Sequence, residues 1–135
     1  MEVKELFTNG HFEPSERGMI PIQSHGFAIS AGCFEGIRGY WNEREQEIYL
    51  FRLREHFERL LQSCKILQIS LPYTIDRLIE ISIELIRRNS QRQNVYLQPW
   101  AYKDDRTTEA YSHDLIDHLI LTVEPRENYI DAIGL

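Results

Sequence analysis

The sequence predicts an α+β fold, a small antiparallel sheet with two helices packed on it. Three observations carry that expectation. Residues 33–41, 47–51, 94–102 and 115–123 place apolar and polar groups in short stretches that suit strands. Residues 53–64 and 75–86 instead repeat apolar side chains at helical spacing. An Asn9-Gly10 pair lies between apolar residues, and a two-residue hairpin turn needs positive φ at both positions.

Taken in order, Leu6, Phe7 and Phe12 flank the Asn9-Gly10 turn of a first hairpin. Residues 14–21 form a loop, broken up by Gly18 and two prolines, and residues 24–31 a short helical turn or irregular connector. In the strand that follows, Phe34, Gly36, Arg38 and Tyr40 share one face, and Cys33, Glu35, Ile37 and Gly39 the other. After a charged turn at 42–45 the chain returns as a strand. The period then changes, and Leu53, Phe57, Leu60, Leu61 and Cys64 make one buried helical stripe, with Arg52, Glu55, Arg59 and Gln62 largely off it. In the second helix Thr74 is the expected N-cap, and Ile75, Leu78, Ile79, Ser82, Leu85 and Ile86 the inner face. Asn89 is expected to close that helix in a left-handed conformation. Residues 94–102 read as a strand that Pro99 should confine to an edge or a bulge. A polar loop over 103–113 leads to the last strand.

At 135 residues the chain fits one domain, 1–135, long enough to bury roughly two-thirds of its unfolded surface. A net charge of −6 argues against nucleic acid or an anionic membrane as partner. No apolar run reaches the roughly 18 residues of a membrane span, and no secretory segment opens the sequence. Cys33 and Cys64 make neither a disulfide framework nor a zinc site, so a reducing cytoplasm is the default. Lysine occurs only as Lys4, Lys65 and Lys103, beside twelve arginines.

Several residues are candidates for chemistry. Arg59 is either a solvated arginine pairing with Glu55 one turn earlier, or a two-pronged phosphate clamp. Arg38, among aromatics in mid-strand, needs a buried carboxylate or a ligand. Gly36 weakens a strand and so marks either close approach of a ligand or of another backbone, or a β-bulge. Tyr96, Gln98, Trp100 and Tyr102 line one strand face that is core or pocket wall. His113 and His118 have poor metal spacing, and His56 reads as structural or solvent-facing. Phosphate-loop, dinucleotide, nucleophile-elbow and zincin motifs are absent from the sequence.

Phe34-Glu35-Gly36-Ile37-Arg38, the run from Phe51 through His56 to Arg59-Leu60, Ser63-Cys64-Lys65-Ile66-Leu67, and Tyr96-Leu97-Gln98-Pro99 together resemble the class IV aminotransferases, typified by branched-chain amino-acid aminotransferase. The resemblance runs from Phe7 to near Tyr102 and covers the N-terminal small domain of such enzymes. It implies pyridoxal phosphate as cofactor, an amino acid and a 2-oxo acid as substrates, and a homodimer or larger assembly. By that resemblance Arg59 holds the cofactor phosphate, while Phe34, Gly36, Arg38 and Tyr96 line the substrate pocket. Three departures stand out. Gln98 replaces an arginine that helps recognise a substrate carboxylate, and Ile29 stands where a pocket tyrosine is common. The family's catalytic lysine lies in a second, C-terminal cofactor domain that the 135 residues do not include, and neither Lys65 nor Lys103 matches it. D-amino-acid aminotransferase and aminodeoxychorismate lyase remain open within the family. The chain alone is therefore expected to lack transaminase activity. The alternative is a stand-alone, non-catalytic domain that dimerises or binds a ligand.

Overall fold

The computed structural model describes residues 4–22, 24–28, 30–104 and 116–127. The first hairpin pairs β1 (Glu5–Thr8) with β2 (His11–Pro14), and Asn9 (φ 45°) and Gly10 (φ 98°) both take positive φ at the turn. A 3₁₀ turn (Ser15–Arg17) and a single-turn helix α1 (His25–Ala28) follow. The next strands are β3 (Gly32–Phe34), β4 (Ile37–Asn42) and β5 (Glu47–Leu50). Helices α2 (Leu53–Ile66) and α3 (Ile75–Asn89) precede the long strands β6 (Val95–Asp104) and β7 (Ile116–Pro125).

All seven strands join one antiparallel sheet in the order β2-β1-β7-β6-β4-β5, with β3 beside β6 in line with β4. Its period-two alternation sorts residues cleanly. Ile37, Val95, Leu97, Ala101, Leu119, Leu121 and Val123 face the helices and close a core with Phe57 and Leu60 of α2 and Leu78, Ile81 and Leu85 of α3. Full burial of each Val, Leu, Ile or Phe in that set contributes about 1.5–3 kcal/mol, and the Ala101 methyl less. The α+β layer read from the sequence is the observed one.

Two local readings need correction. Strand β6 is central, flanked by β7 on one side and by β3 and β4 on the other, so Pro99 is not on an edge. Nor is it in a bulge, because Phe34↔Trp100 and Ile37↔Leu97 keep one unbroken register. Instead Glu35 N–H donates to Pro99 O at 3.2 Å, and proline has no N–H to return to Glu35. That missing bond is why β3 and β4 are two strands rather than one. Second, Thr74 caps α3 as expected, its Oγ1 accepting from Arg77 N–H, but the left-handed residue at the other end is Ser90 (φ 51°). Asn89 stays helical and fully buried. Its side chain accepts from Lys4 and Glu5 N–H and donates to Glu5 O and Leu85 O, stitching α3 to β1. Ile29 and His113 lie outside the described residues, as does most of the loop over 103–113.

Candidate functional site

The alternation that aims odd-numbered residues of β6 at the helices aims Tyr96, Gln98, Trp100 and Tyr102 at the opposite face. Phe34, Gly36 and Arg38 come up beside them, because Phe34 pairs with Trp100 and Arg38 with Tyr96. Phe34 and Trp100 stack at 4.6 Å between ring centroids, and both rings remain exposed. A cleft of about 510 Å³ opens next to them, walled by Leu6, Ile20, Phe27, Tyr102 and Ile120. Phe34, Gly36, Arg38 and Tyr96 thus meet on one aromatic face.

Gly36 has a definite reason to be glycine. A Cβ there would lie 2.8 Å from Cζ of Tyr96, with the Tyr96 hydroxyl closer still. Register is kept through this position, so there is no bulge, and what comes close is a tyrosine side chain rather than the ligand or second backbone expected from the sequence. Arg38 is half-buried and pairs with no carboxylate among the described residues. Its Nη2 donates to Glu127 O at 3.1 Å, and its guanidinium lies 5.8 Å from the Tyr40 ring centroid. Tyr96 carries the Arg126 guanidinium 4.7 Å from its ring centroid.

Arg59 is elsewhere. It projects from α2 on the helix side of the sheet and pairs with Glu35, not with Glu55, which binds Arg52 instead. The contact is bidentate, with Nε and Nη2 each 2.6 Å from a carboxylate oxygen. His56 Nδ1 adds a third bond to Glu35 at 2.9 Å. The Arg59 guanidinium, His56 and this bonding together hold the Glu35 carboxyl below its ordinary value, against the opposing effect of burial. Glu35 is 6% exposed and Arg59 65% exposed, so the acid is locked inside while the base stays open to solvent. Glu35 was not singled out from the sequence. The available signal was a charged residue on the core-facing side of a strand, which demands a partner.

This geometry suits an anion anchor. Glu35 takes Nε and Nη2 of Arg59, fixing the plane of the fork, and the Nη1 edge retains two donors outside that pair. A phosphate group fits that donor set. The lysines do not supply an amine beside it: Lys65 is exposed at the far end of α2, and Lys103 is buried in an ion pair with Asp117 at 2.8 Å. Among the described residues no cluster of three metal-ligating side chains occurs.

Comparison with known proteins places these features in context. The family model of amino-transferase class IV matches residues 32–133. A probable branched-chain-amino-acid aminotransferase of Aquifex aeolicus is 39% identical over 99 residues, covering 73% of this chain and 32% of the relative. A D-alanine aminotransferase of Staphylococcus haemolyticus is 32% identical over 95 residues, covering 70% of this chain and 32% of its own. The crystal structure of the branched-chain amino acid aminotransferase from Thermobaculum terrenum in its PLP form superposes with a TM-score of 0.84 at 31% identity. That match covers 95% of this chain and 42% of the crystallised one. The chain spans between a third and about two-fifths of these relatives' length.

Proposed function

Because the chain belongs to the class IV aminotransferases, we propose that it is the N-terminal domain of a branched-chain-aminotransferase-like enzyme. The complete enzyme transfers an amino group between an amino acid and a 2-oxo acid, and pyridoxal phosphate supplies the electron sink for that chemistry. Arg59, oriented by Glu35, holds the cofactor phosphate. Phe34, Gly36, Arg38 and Tyr96 shape one wall of the substrate site, where aromatic surface suits an aliphatic side chain. Gln98 faces that wall as a neutral amide. It can hydrogen-bond a carboxylate but brings no charge to it.

The observation that carries this reading is the bidentate Glu35–Arg59 contact, on a chain whose fold and sequence match that family. Transamination needs a lysine amine at the cofactor, and this chain offers none near Arg59. The domain alone is therefore inactive. In the complete protein it works as a cytoplasmic homodimer. The second reading, a stand-alone domain that dimerises or binds a ligand without catalysis, draws on the open aromatic face around Phe34 and Trp100.

An absorbance titration with pyridoxal phosphate, then borohydride reduction and peptide mapping, tests the first reading. No turnover and no adduct concentrated on one lysine is the expected result. A saturable imine band reduced onto Lys65 or Lys103, with turnover lost when that lysine is replaced, would overturn the claim of inactivity. A stop codon directly after Leu135 in the coding frame would favour the second reading.

A further inference from the structure

Cys33 on β3 and Cys64 on α2 come from elements far apart in sequence, yet their Sγ atoms lie 3.7 Å apart. Cys33 sits on the helix-facing side of β3, and the packing of α2 against that strand brings the two thiols together. Their surroundings differ. Cys64 is 2% exposed, whereas Cys33 is only partly buried. We propose that Cys33 and Cys64 form a reversible dithiol–disulfide site, oxidised by peroxides, that ties strand β3 covalently to helix α2.

The roles follow from the geometry. Cys33 is the thiol a small peroxide can reach, and Cys64 is the resolving thiol held against it. The hydrogen bond from Cys64 lowers the Cys33 thiol, while that same contact and burial push Cys64 up. The Cys33 thiolate attacks one peroxide oxygen, the O–O bond breaks, and a sulfenic acid forms as hydroxide or alkoxide leaves. Cys64 sulfur then displaces the sulfenic oxygen as water, its own proton included, and the S–S bond closes. Two electrons pass from the thiol pair to the peroxide, and a dithiol restores both thiols. Closing the bond needs the sulfurs to approach from 3.7 Å to about 2.05 Å, a shift that side-chain rotation and a small slide of α2 can provide. Arg59 lies five residues before Cys64 on the same helix, so the link would fix the element that carries the anion anchor.

The test uses the reduced chain, treated with hydrogen peroxide, blocked with N-ethylmaleimide and digested without reductant. The expected product is one intramolecular cross-linked peptide pair, lighter by two hydrogens than its reduced members and abolished by dithiothreitol, with loss of both maleimide-reactive thiols. In Cys64→Ser the intermediate should accumulate as a dimedone adduct on Cys33, and in Cys33→Ser the Cys64 thiol should survive peroxide. Two intact thiols after exposure that fully oxidises free glutathione would overturn the proposal. So would disulfides found only between chains, or a Cys64 oxidised at the same rate when Cys33 is absent.

Discussion

Replacing Glu35 by Gln should destabilise the domain at neutral pH, and the loss should fade in acid. Glu35 is buried and accepts three hydrogen bonds, two from Arg59 at 2.6 Å and one from His56 at 2.9 Å. A glutamine keeps the shape but turns an NH₂ towards donors, so at least one of those bonds becomes a mismatch. Bonds to a charged group are worth about 1.5–3 kcal/mol each when fully desolvated. Two effects reduce that figure here. Arg59 is largely exposed and is rehydrated when its partner loses charge. His56 can change tautomer and accept from the new amide. The net cost is about 1–2 kcal/mol at pH 7, or about 4–7 °C in Tm for a chain of this length.

The sign of the pH dependence follows from the depressed Glu35 carboxyl. Its folded-state value lies below the ordinary 4.5, so the contribution is whole above pH 4.5 and is lost as pH falls through the lowered value. Glutamine does not titrate, so the gap between the two proteins should close in that acid range. Urea unfolding followed by fluorescence at pH 7, 5, 4 and 3 measures it. Equal stability at pH 7, or a gap that persists undiminished at pH 3, would refute the assignment of Glu35 as an ionised, bonded acid.

Further tests probe the other joints of the fold. Asn89→Ala removes a buried side chain that makes four hydrogen bonds to β1 and its own helix. It should cost about 2–4 kcal/mol and strip the Lys4 and Glu5 amides of hydrogen-exchange protection. Gly36→Ala places a Cβ against the Tyr96 ring and should cost about 1–2 kcal/mol in urea unfolding. Tyr96→Phe removes the nearest atom, so the double variant should recover at least about 0.5 kcal/mol of that loss; strict additivity would mean that the two residues do not touch.

What the sequence disclosed follows from what local chemistry encodes. The Asn9-Gly10 turn was legible because positive φ is nearly a property of the residue pair. The stripe of Phe34, Gly36 and Arg38 and that of Tyr96, Gln98, Trp100 and Tyr102 were each legible because a strand's period of two admits only two choices, but that the two stripes meet on one face came only from the family resemblance. The core stripes of α2 and α3 were legible for the same reason at period 3.6, although the buried Ile81 was not among the residues read for α3. What stayed hidden was pairing across distance. Arg59 reads as a partner for Glu55 because that acid lies one turn away. In the fold a buried acid 24 residues earlier competes for it and wins, since an unpaired carboxylate inside costs far more than one in water. Pro99 reads as an edge signal for a similar reason, because sequence cannot reveal that the neighbouring strand has a gap to receive it.

The step from Glu35 to Gly36 is where these hidden pairings converge. Pro99 cannot donate to Glu35, which interrupts the ladder to β6 where β3 gives way to β4. At that break the chain carries an acid to the helix face, where it fixes Arg59. The next residue carries no side chain on the aromatic face, where Tyr96 fills the space. Two faces of one sheet are thereby organised from adjacent residues, the fixed Arg59 fork on one side and an aromatic wall on the other. A regular, fully bonded strand with a side chain at both positions could order either face. The proline, the acid and the glycine together let this strand order both.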